Sequence, residues 1–278
     1  MIKSFFSLVK ITIKKAFYFK TYLSAFLNLY IFHTCRCYIC GTKNLKIHKV
    51  NWRRCFIECD SCELVFIKTP PNLNKLRRIH DKAYWKKINE ELGCYKNPLA
   101  WEDWQGWKSH LLNYFNIGKI EEDLGKERKV LDIGCGNGKL LELFYNRGWQ
   151  CVGIDLSDYT KDLKLHSGIE IINFSFEDSE FPEGEFDFIT MIHVVEHFIH
   201  PYECLEKARI TLKEFGYLLI ETPLVPDYDD LHHQSFYSRK SLYKLIEKSE
   251  MNILKEKTYK DELHLGKENI LLLCQKKR

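Results

Sequence analysis

Several absences narrow what this chain can do. Residues 1–57 hold eleven Lys or Arg and not one Asp or Glu. The remainder therefore carries 31 basic against 38 acidic side chains, a net of −7 inside a chain of net +4. Such one-sided charge suggests a region that meets something anionic (phospholipid, a phosphate-bearing substrate or nucleic acid) or that docks on its own acidic body. No secretory signal is evident, and near the start no uncharged run reaches a membrane span. Lys3, Lys10, Lys14, Lys15 and Lys20 interrupt the apolar residues, and Thr21 to Cys35 is too short. No Walker signature exists: Gly138-Lys139 has Ile133 where the upstream glycine belongs and no Ser or Thr after the Lys, which argues against ATP or GTP hydrolysis. The nicotinamide fingerprint G-x-G-x-x-G is missing as well, because the third glycine comes one residue early at Gly138 and Lys139 follows. There is no internal repeat and no low-complexity tract.

What is present is the ordinary mix of a soluble globular protein, 45% hydrophobic and 29% charged, in 278 residues. That length allows one large domain, or one medium and one small. Cysteine is plentiful: eleven in all, six of them between Cys35 and Cys62. Clustering in pairs points to metal ligation in a reducing compartment, hence a cytoplasmic setting, rather than to a disulfide framework. Cys37-x-x-Cys40 and Cys59-x-x-Cys62, 18 residues apart, fit the two-knuckle zinc pattern. A two-residue gap lets a tight turn present both sulfurs to one ion, and Gly41 follows the first knuckle as such turns often require. Four thiolates leave no open coordination position, so the expected Zn2+ is structural. Cys35 and Cys55 are spare thiols able to substitute.

The chain divides into four parts. Residues 1–33 read as a basic amphipathic helix, with Ile2, Phe5, Phe6, Val9, Ile13 and Phe17 on one face and Lys3, Ser7, Lys10 and Lys14 on another. Such a helix either lies in a membrane interface, giving peripheral membrane contact, or packs on its own protein. Residues 34–70 read as a zinc-ribbon-like module ended by Pro70-Pro71. Residues 71–125 read as a mainly helical connector and substrate-side cap, with Trp101, Trp104 and Trp107 near one face as packing residues. From 126 to 278 strands alternate with helices. Seven strands are expected, over 129–134, 150–155, 170–174, 185–193, 216–222, 253–259 and 269–274. Helices are expected over 139–147, from the fourth strand through Leu212, and over 238–249. This is an α/β fold with a doubly wound, seven-stranded, mostly parallel sheet.

The most informative stretch is Val130-Leu131-Asp132-Ile133-Gly134-Cys135-Gly136-Asn137-Gly138, an apolar strand running through three alternate glycines into a helix. Glycines at such a turn let the backbone approach a ligand closely. Asp155, at the tip of the next strand, can accept hydrogen bonds from both ribose hydroxyls of a nucleoside. With these residues, Gly153-Ile154-Asp155, Phe186-Asp187-Phe188-Ile189, His193-Val194-Val195-Glu196-His197 and the Gly216–Pro223 strand, roughly residues 110–275 resemble the class I S-adenosylmethionine (SAM)-dependent methyltransferases, which are Rossmann-like. The resemblance implies SAM as cofactor. It implies that Asp132, Gly134, Cys135, Gly136 and Gly138 meet its methionine part, that Asp155 with Leu156 beside it holds the ribose, and that Glu177 and Asp178 sit by the adenine. The usual Pro-Gly-Gly before the fifth strand is Glu214-Phe215-Gly216 here.

The His193–His197 segment looks like that of ubiquinone-biosynthesis O-methyltransferases. In those enzymes acids and a His here also hold a divalent metal, and His193 stands where the first acid is expected. His193 is expected to contact the cofactor pocket. A neutral His can deprotonate a hydroxyl as it attacks a methyl group, so His197, His193 and His233 are the catalytic candidates, with His232 beside them in a loop that flanks the acceptor pocket in similar proteins. No Asn-Pro-Pro-Tyr-like segment follows the fourth strand, which favours O- or C-methylation over transfer to nucleic-acid amines. A cysteine-rich segment ahead of such a core is similar to a group including sugar C-methyltransferases. The expected acceptor is a small molecule, a sugar or a lipid-linked intermediate. The basic N-terminus keeps RNA open as an acceptor, and a non-catalytic zinc-containing binding protein that retains the fold is the third reading. Oligomeric state is not legible.

Overall fold

The computed structural model describes residues 35–51, 54–70, 112–158, 160, 165–224, 228, 230–261 and 267–277. The helix expected over 1–33, the Trp-bearing stretch and most of the helical connector lie outside the described residues.

Three short strands come first: β1 (Leu45–Val50), β2 (Cys55–Cys59) and β3 (Val65–Ile67). After helix α1 (Ile117–Leu124) the chain alternates β4 (Lys129–Ile133), α2 (Lys139–Asn146), β5 (Gln150–Asp155), β6 (Ile169–Asn173) and β7 (Phe186–Ile192). A 3-10 turn (Val195–His197), α3 (Pro201–Thr211), β8 (Leu212–Pro223), β9 (Ser235–Phe236), α4 (Arg239–Lys248), β10 (Met251–Asp261) and β11 (Lys267–Lys276) follow.

The large sheet has the order β10-β11-β8-β7-β4-β5-β6. β8, β7, β4, β5 and β6 are mutually parallel, and β11 runs antiparallel to both of its neighbours. The seven-stranded, mostly parallel sheet expected from sequence is therefore the sheet observed. The central strands read as continuous apolar runs because both faces are covered: all of β7 but its last residue is buried. On one face Leu140, Leu141 and Phe144 of α2 pack with Phe188 and Trp149, the Phe144 ring lying 5.3 Å from Trp149 and 5.6 Å from Phe188. On the other face α3 and α4 supply Leu205, Ala208, Leu242, Leu245 and Ile246.

The helix expected directly after β7 begins later than its periodicity suggests. Pro201 occupies the first helical turn, where its missing N–H costs nothing, but it pushes the residue before it out of the helical region. His200 is accordingly non-helical (φ −122°), and the chain makes the 3-10 turn at 195–197 instead. Ser238 caps α4, its hydroxyl accepting from Ser241 N while the Ser241 hydroxyl accepts from Ser238 N.

The cysteine-bearing strands are not set apart from this body. Cys37, Ile39, Ile57, Cys59, Cys62, Leu64 and Phe66 belong to the same hydrophobic core as Ile133, Ile154, Met191 and Leu242. β3 also pairs antiparallel with β9, Val65 opposite Phe236 and Phe66 opposite Ser235, which completes a four-stranded sheet β1-β2-β3-β9.

Candidate functional site

The glycine turn is braced by the strand beside it. Gly134 and Cys135 donate backbone N–H groups to Ile154 O at 2.7 and 3.2 Å. Gly136 N donates to Asp155 Oδ2 at 2.9 Å, and Ser157 N to Asp155 Oδ1 at 2.7 Å. Gly134 has φ +70°, and a Cβ there would fall 2.3 Å from Val194 Cγ2. Position 134 thus needs glycine on both counts, and the turn touches the segment that follows β7. Asp132 is buried and accepts from Thr190 Oγ1 at 2.5 Å. Burial raises the Asp155 carboxyl above its ordinary value, opposed by the two backbone N–H donors. Cys135 is buried, and its thiol is pushed far up, first by burial and then by Asp155 and Asp132, so it stays protonated.

The two acids after β6 part company. Glu177 Oε1 accepts from Ile199 N and His200 N at 3.0 and 3.1 Å, closing the turn ahead of α3. Asp178 is exposed, and Leu156 is half-buried beside Asp155.

His193 adopts φ +54°, rare for a residue with a Cβ. Its Nε2 stands 2.8 Å from Glu221 Oε1 and its Nδ1 3.4 Å from Glu196 Oε1. Glu221 and Glu196 are almost wholly buried. Burial opposes the charge on His193, but Glu221 and then Glu196 outweigh it and raise the imidazole to about 10. Tyr259 OH donates to Glu221 Oε1, Asn269 Nδ2 donates to Tyr259 OH at 3.2 Å, and Thr222 Oγ1 donates to Glu196 Oε2 at 3.0 Å.

Around the corner of the 3-10 turn, His197 meets the loop before β9. Its ring lies 4.9 Å from that of His233 and 6.4 Å from that of His232. Burial lowers His197 to about 4, the Glu196 charge opposing, so the ring is neutral at physiological pH. Asp230 takes the other side of this loop, with Oδ1 2.9 Å from His232 Nδ1 and Oδ2 3.4 Å from His233 Nε2. Burial resists ionisation of Asp230, but the two histidines outweigh it and hold the carboxyl well below the usual range. One ligand atom from each of Glu196, His197 and His233 lies within 4.8 Å of the others, a spacing that can take a metal ion.

The four knuckle cysteines converge in the same way, their sulfurs within 4.8 Å of one another. Cys37 Sγ and Cys62 Sγ are 3.5 Å apart, as are Cys40 Sγ and Cys59 Sγ. Sulfurs bound at ~2.3 Å to one tetrahedral ion would lie about 3.8 Å apart, so these two pairs stand within tenths of an ångström of the spacing that zinc requires. The two knuckles are built alike: Gly41 N donates to Cys37 O and Glu63 N to Cys59 O, with φ +70° at Gly41 and +64° at Glu63. Within the Cys37–Cys62 pair the shared hydrogen bond lowers the Cys37 thiol and, with burial, raises the Cys62 thiol, so one of the two is favoured as a thiolate. Cys35 and Cys55 pack against the hydrophobic core that contains Cys37, Cys59 and Cys62 and stand outside the quartet.

Sequence reasoning missed Glu221, Asp230, Tyr259 and Asn269. Glu221 left a readable signal. It ends an otherwise apolar run, Tyr217-Leu218-Leu219-Ile220, in a central strand, where a buried acid requires a partner. Asp230 left none, because its role depends on the loop's fold.

A family model described as "Methyltransferase domain" matches residues 110–256, more than half of the chain. The ubiquinone biosynthesis O-methyltransferase of Acinetobacter baylyi is 28% identical over 123 residues, which are 41% of this chain and 52% of that protein. The mitochondrial ubiquinone biosynthesis O-methyltransferase of Schizosaccharomyces pombe is 32% identical over 145 residues, 45% of this chain and 52% of that one. The chain thus spans about half the length of the curated relatives it matches. Among solved structures, the 1,6-didemethyltoxoflavin-N1-methyltransferase of Burkholderia thailandensis, with 1,6-didemethyltoxoflavin and S-adenosylhomocysteine bound, superposes with a TM-score of 0.55 at 12% identity, covering 84% of this chain and 100% of that one. At that identity the likeness speaks for the fold.

Proposed function

The chain belongs to the methyltransferase-domain family, whose cofactor is SAM, and from that premise we propose that it transfers the methyl group to an oxygen or carbon of a small-molecule, sugar or lipid-linked acceptor. One observation carries the reading: the glycine turn after β4 and the acid ending β5 are hydrogen-bonded to each other, Gly136 N to Asp155 Oδ2. Each Asp155 oxygen accepts one backbone N–H and keeps a second lone pair, which suits two ribose hydroxyls. Bound SAM supplies a methyl on a sulfonium, already activated for in-line displacement.

The residues then divide the remaining work. The turn through Asp132, Gly134, Cys135, Gly136 and Gly138 receives the amino-acid end, and Asp155 and Leu156 the ribose. Asp178, exposed where Glu177 is engaged with backbone, takes the adenine edge. His193, held as a cation by two carboxylates, has no lone pair for a proton and fixes the wall of the pocket through Glu196 and Glu221. His197 and His233 are left as the acceptors of a hydroxyl proton, His197 being a weak base that takes the proton effectively only from an oxygen made more acidic on binding. The names of the curated relatives support oxygen as the methylated atom and a small molecule as its carrier. Zn2+ at Cys37, Cys40, Cys59 and Cys62 is structural in this reading. Among the described residues no helix is long and apolar enough to cross a membrane.

The test supplies purified protein with methyl-labelled SAM and a fractionated cell extract, with Gly136→Arg as control. Label above the control in glycan, lipid or small-molecule fractions is the expected result. Label in RNA alone would replace the acceptor class. SAM binding with no label in any fraction would remove the catalytic reading.

A further inference from the structure

The loop that carries His232 and His233 has two neighbours, and only one belongs to the methyltransferase half. On the inner side Gln234 N donates to Glu196 O at 2.7 Å, and Tyr237 OH donates to Val195 O at 3.2 Å. These two bonds tie the loop to the 3-10 turn that bears His197. On the outer side stands the cysteine-bearing sheet. Arg54 Nη1 donates to the carbonyl oxygens of both Asp230 and His233, at 2.9 and 3.1 Å. Ile67 N donates to Gln234 O at 3.0 Å, continuing the pairing of β3 with β9. One guanidinium therefore grips both ends of the Asp230–His233 segment, across 176 and 179 residues of sequence.

From this arrangement we infer that Arg54 is a positioning residue for His233, and that the cysteine-bearing sheet is the outer wall of the acceptor side rather than a separate binding module. The physical reason is directional. A bond to the His233 carbonyl fixes the backbone from which the ring reaches toward His197, while Asp230, gripped by the same guanidinium, faces His232 and His233 from behind. Both bonds leave one nitrogen, Nη1, whose two N–H groups are fixed in the guanidinium plane, so the side chain sets the loop's orientation as well as its distance; an ammonium on a freely turning stem offers donors without that plane. The aromatic cluster of Phe56, Phe236 and Tyr228 fills the space beneath, with Phe56 centroids 5.7 Å from Phe236 and 5.0 Å from Tyr228. The loop therefore rests on residues of both halves. The consequence for catalysis rests on the proposed role of His233; the positioning itself does not.

The experiment uses the full chain with Arg54→Met and Arg54→Lys. It reads hydrogen exchange over residues 230–236, the histidine ring signals in proton–carbon correlation spectra, and SAM affinity. Loss of two charge-assisted bonds should raise exchange in the 230–236 segment roughly ten- to a hundredfold in Arg54→Met. Cross-relaxation between the His197 and His233 rings should vanish, while SAM affinity stays within twofold of the parent. Arg54→Lys, whose three N–H groups can reach the carbonyls but without the fixed guanidinium plane, should recover part of the ring signal. The inference is overturned if Arg54→Met leaves both the segment's exchange and the ring signals unchanged. It is equally overturned if exchange rises by the same factor in β4, β7 and β8, since that is general destabilisation. Failure of SAM to bind the parent protein would count against the cofactor reading and leave the positioning result standing.

Discussion

The backbone N–H of Gly136 donates to Asp155 Oδ2 at 2.9 Å, so the shape of the glycine turn and the place of the acid proposed to hold the ribose are a single structure. Asp155→Ala should therefore do two kinds of damage, removing the partner of two backbone N–H groups and removing the proposed acceptor for the cofactor's hydroxyls. A hydrogen bond to a charged group contributes about 1.5–3 kcal/mol, which converts to roughly a ten- to 150-fold loss of SAM affinity. Titration calorimetry on folded variant protein measures it. Affinity within twofold of the parent would remove Asp155 from the cofactor site.

His193 gives stability a pH dependence of known sign. Its folded-state value of about 10 lies above the ordinary imidazole value of 6.5. The imidazolium's contribution is therefore fully present below about pH 6.5 and is lost as pH rises through about 10. About a third of the side chain is exposed (35%), so solvent damps the effect. His193→Gln should be less stable than the parent at pH 6, with Glu196 and Glu221 buried together and no cation between them, and the gap should close as pH approaches 10. Denaturant unfolding of both proteins at several pH values gives the difference directly. A gap that does not vary with pH would mean that His193 is held neutral.

The parallel sheet was legible because its strands are apolar on both faces and punctuated by glycine: β4, β5 and β7 were read to within a residue or so. The Cys37–Cys62 quartet was legible because knuckle chemistry is local in sequence. The start of α3 was not, because helical periodicity runs on through Val194–His200 and only Pro201 marks the boundary. The relation of the cysteine strands to the α/β body was hidden as well. A two-residue strand such as β9 carries no periodicity, and the Arg54 contacts join residues far apart in the chain. The same cause hid the histidine arrangement. His193, Glu196 and His197 stood out by type, but which of them meets Glu221 and which meets His233 is decided by a positive φ at His193 and by a loop packed from outside.

Phe215 sits with φ +60° where similar enzymes place the first glycine of Pro-Gly-Gly, and it is half exposed. A side chain in this left-handed conformation costs roughly 1–2 kcal/mol, and Phe215 gains little burial in return. Phe215→Gly should raise stability by up to about 1 kcal/mol, because glycine's added freedom in the unfolded chain offsets part of the relief. The hydrogen bond from the Gln275 side-chain amide, Nε2, to the backbone carbonyl of residue 215 survives the change. Thermal unfolding measures the outcome, with a rise of a few degrees expected. A fall would show that the ring's packing outweighs the backbone strain.

The shared core makes the strongest demand on the cysteine cluster. Cys37, Cys59 and Cys62 are buried in the same hydrophobic cluster as Ile133, Ile154 and Met191 of the central strands. A metal at the four sulfurs would then stabilise the α/β body as well as its own knuckles, since binding free energy at a site absent from the unfolded chain is folding free energy. Metal analysis of protein made without chelator should find one zinc per chain, and Cys62→Ser should lose it. Stripping the metal should lower the midpoint of the whole unfolding transition, followed both by the β-sheet signal and by the assigned indole N–H resonance of Trp149, a buried residue on the far face of the large sheet. Were the cysteine segment an independent domain, the Trp149 transition would keep its midpoint after stripping, and the coupling argued from the common core would fall with it.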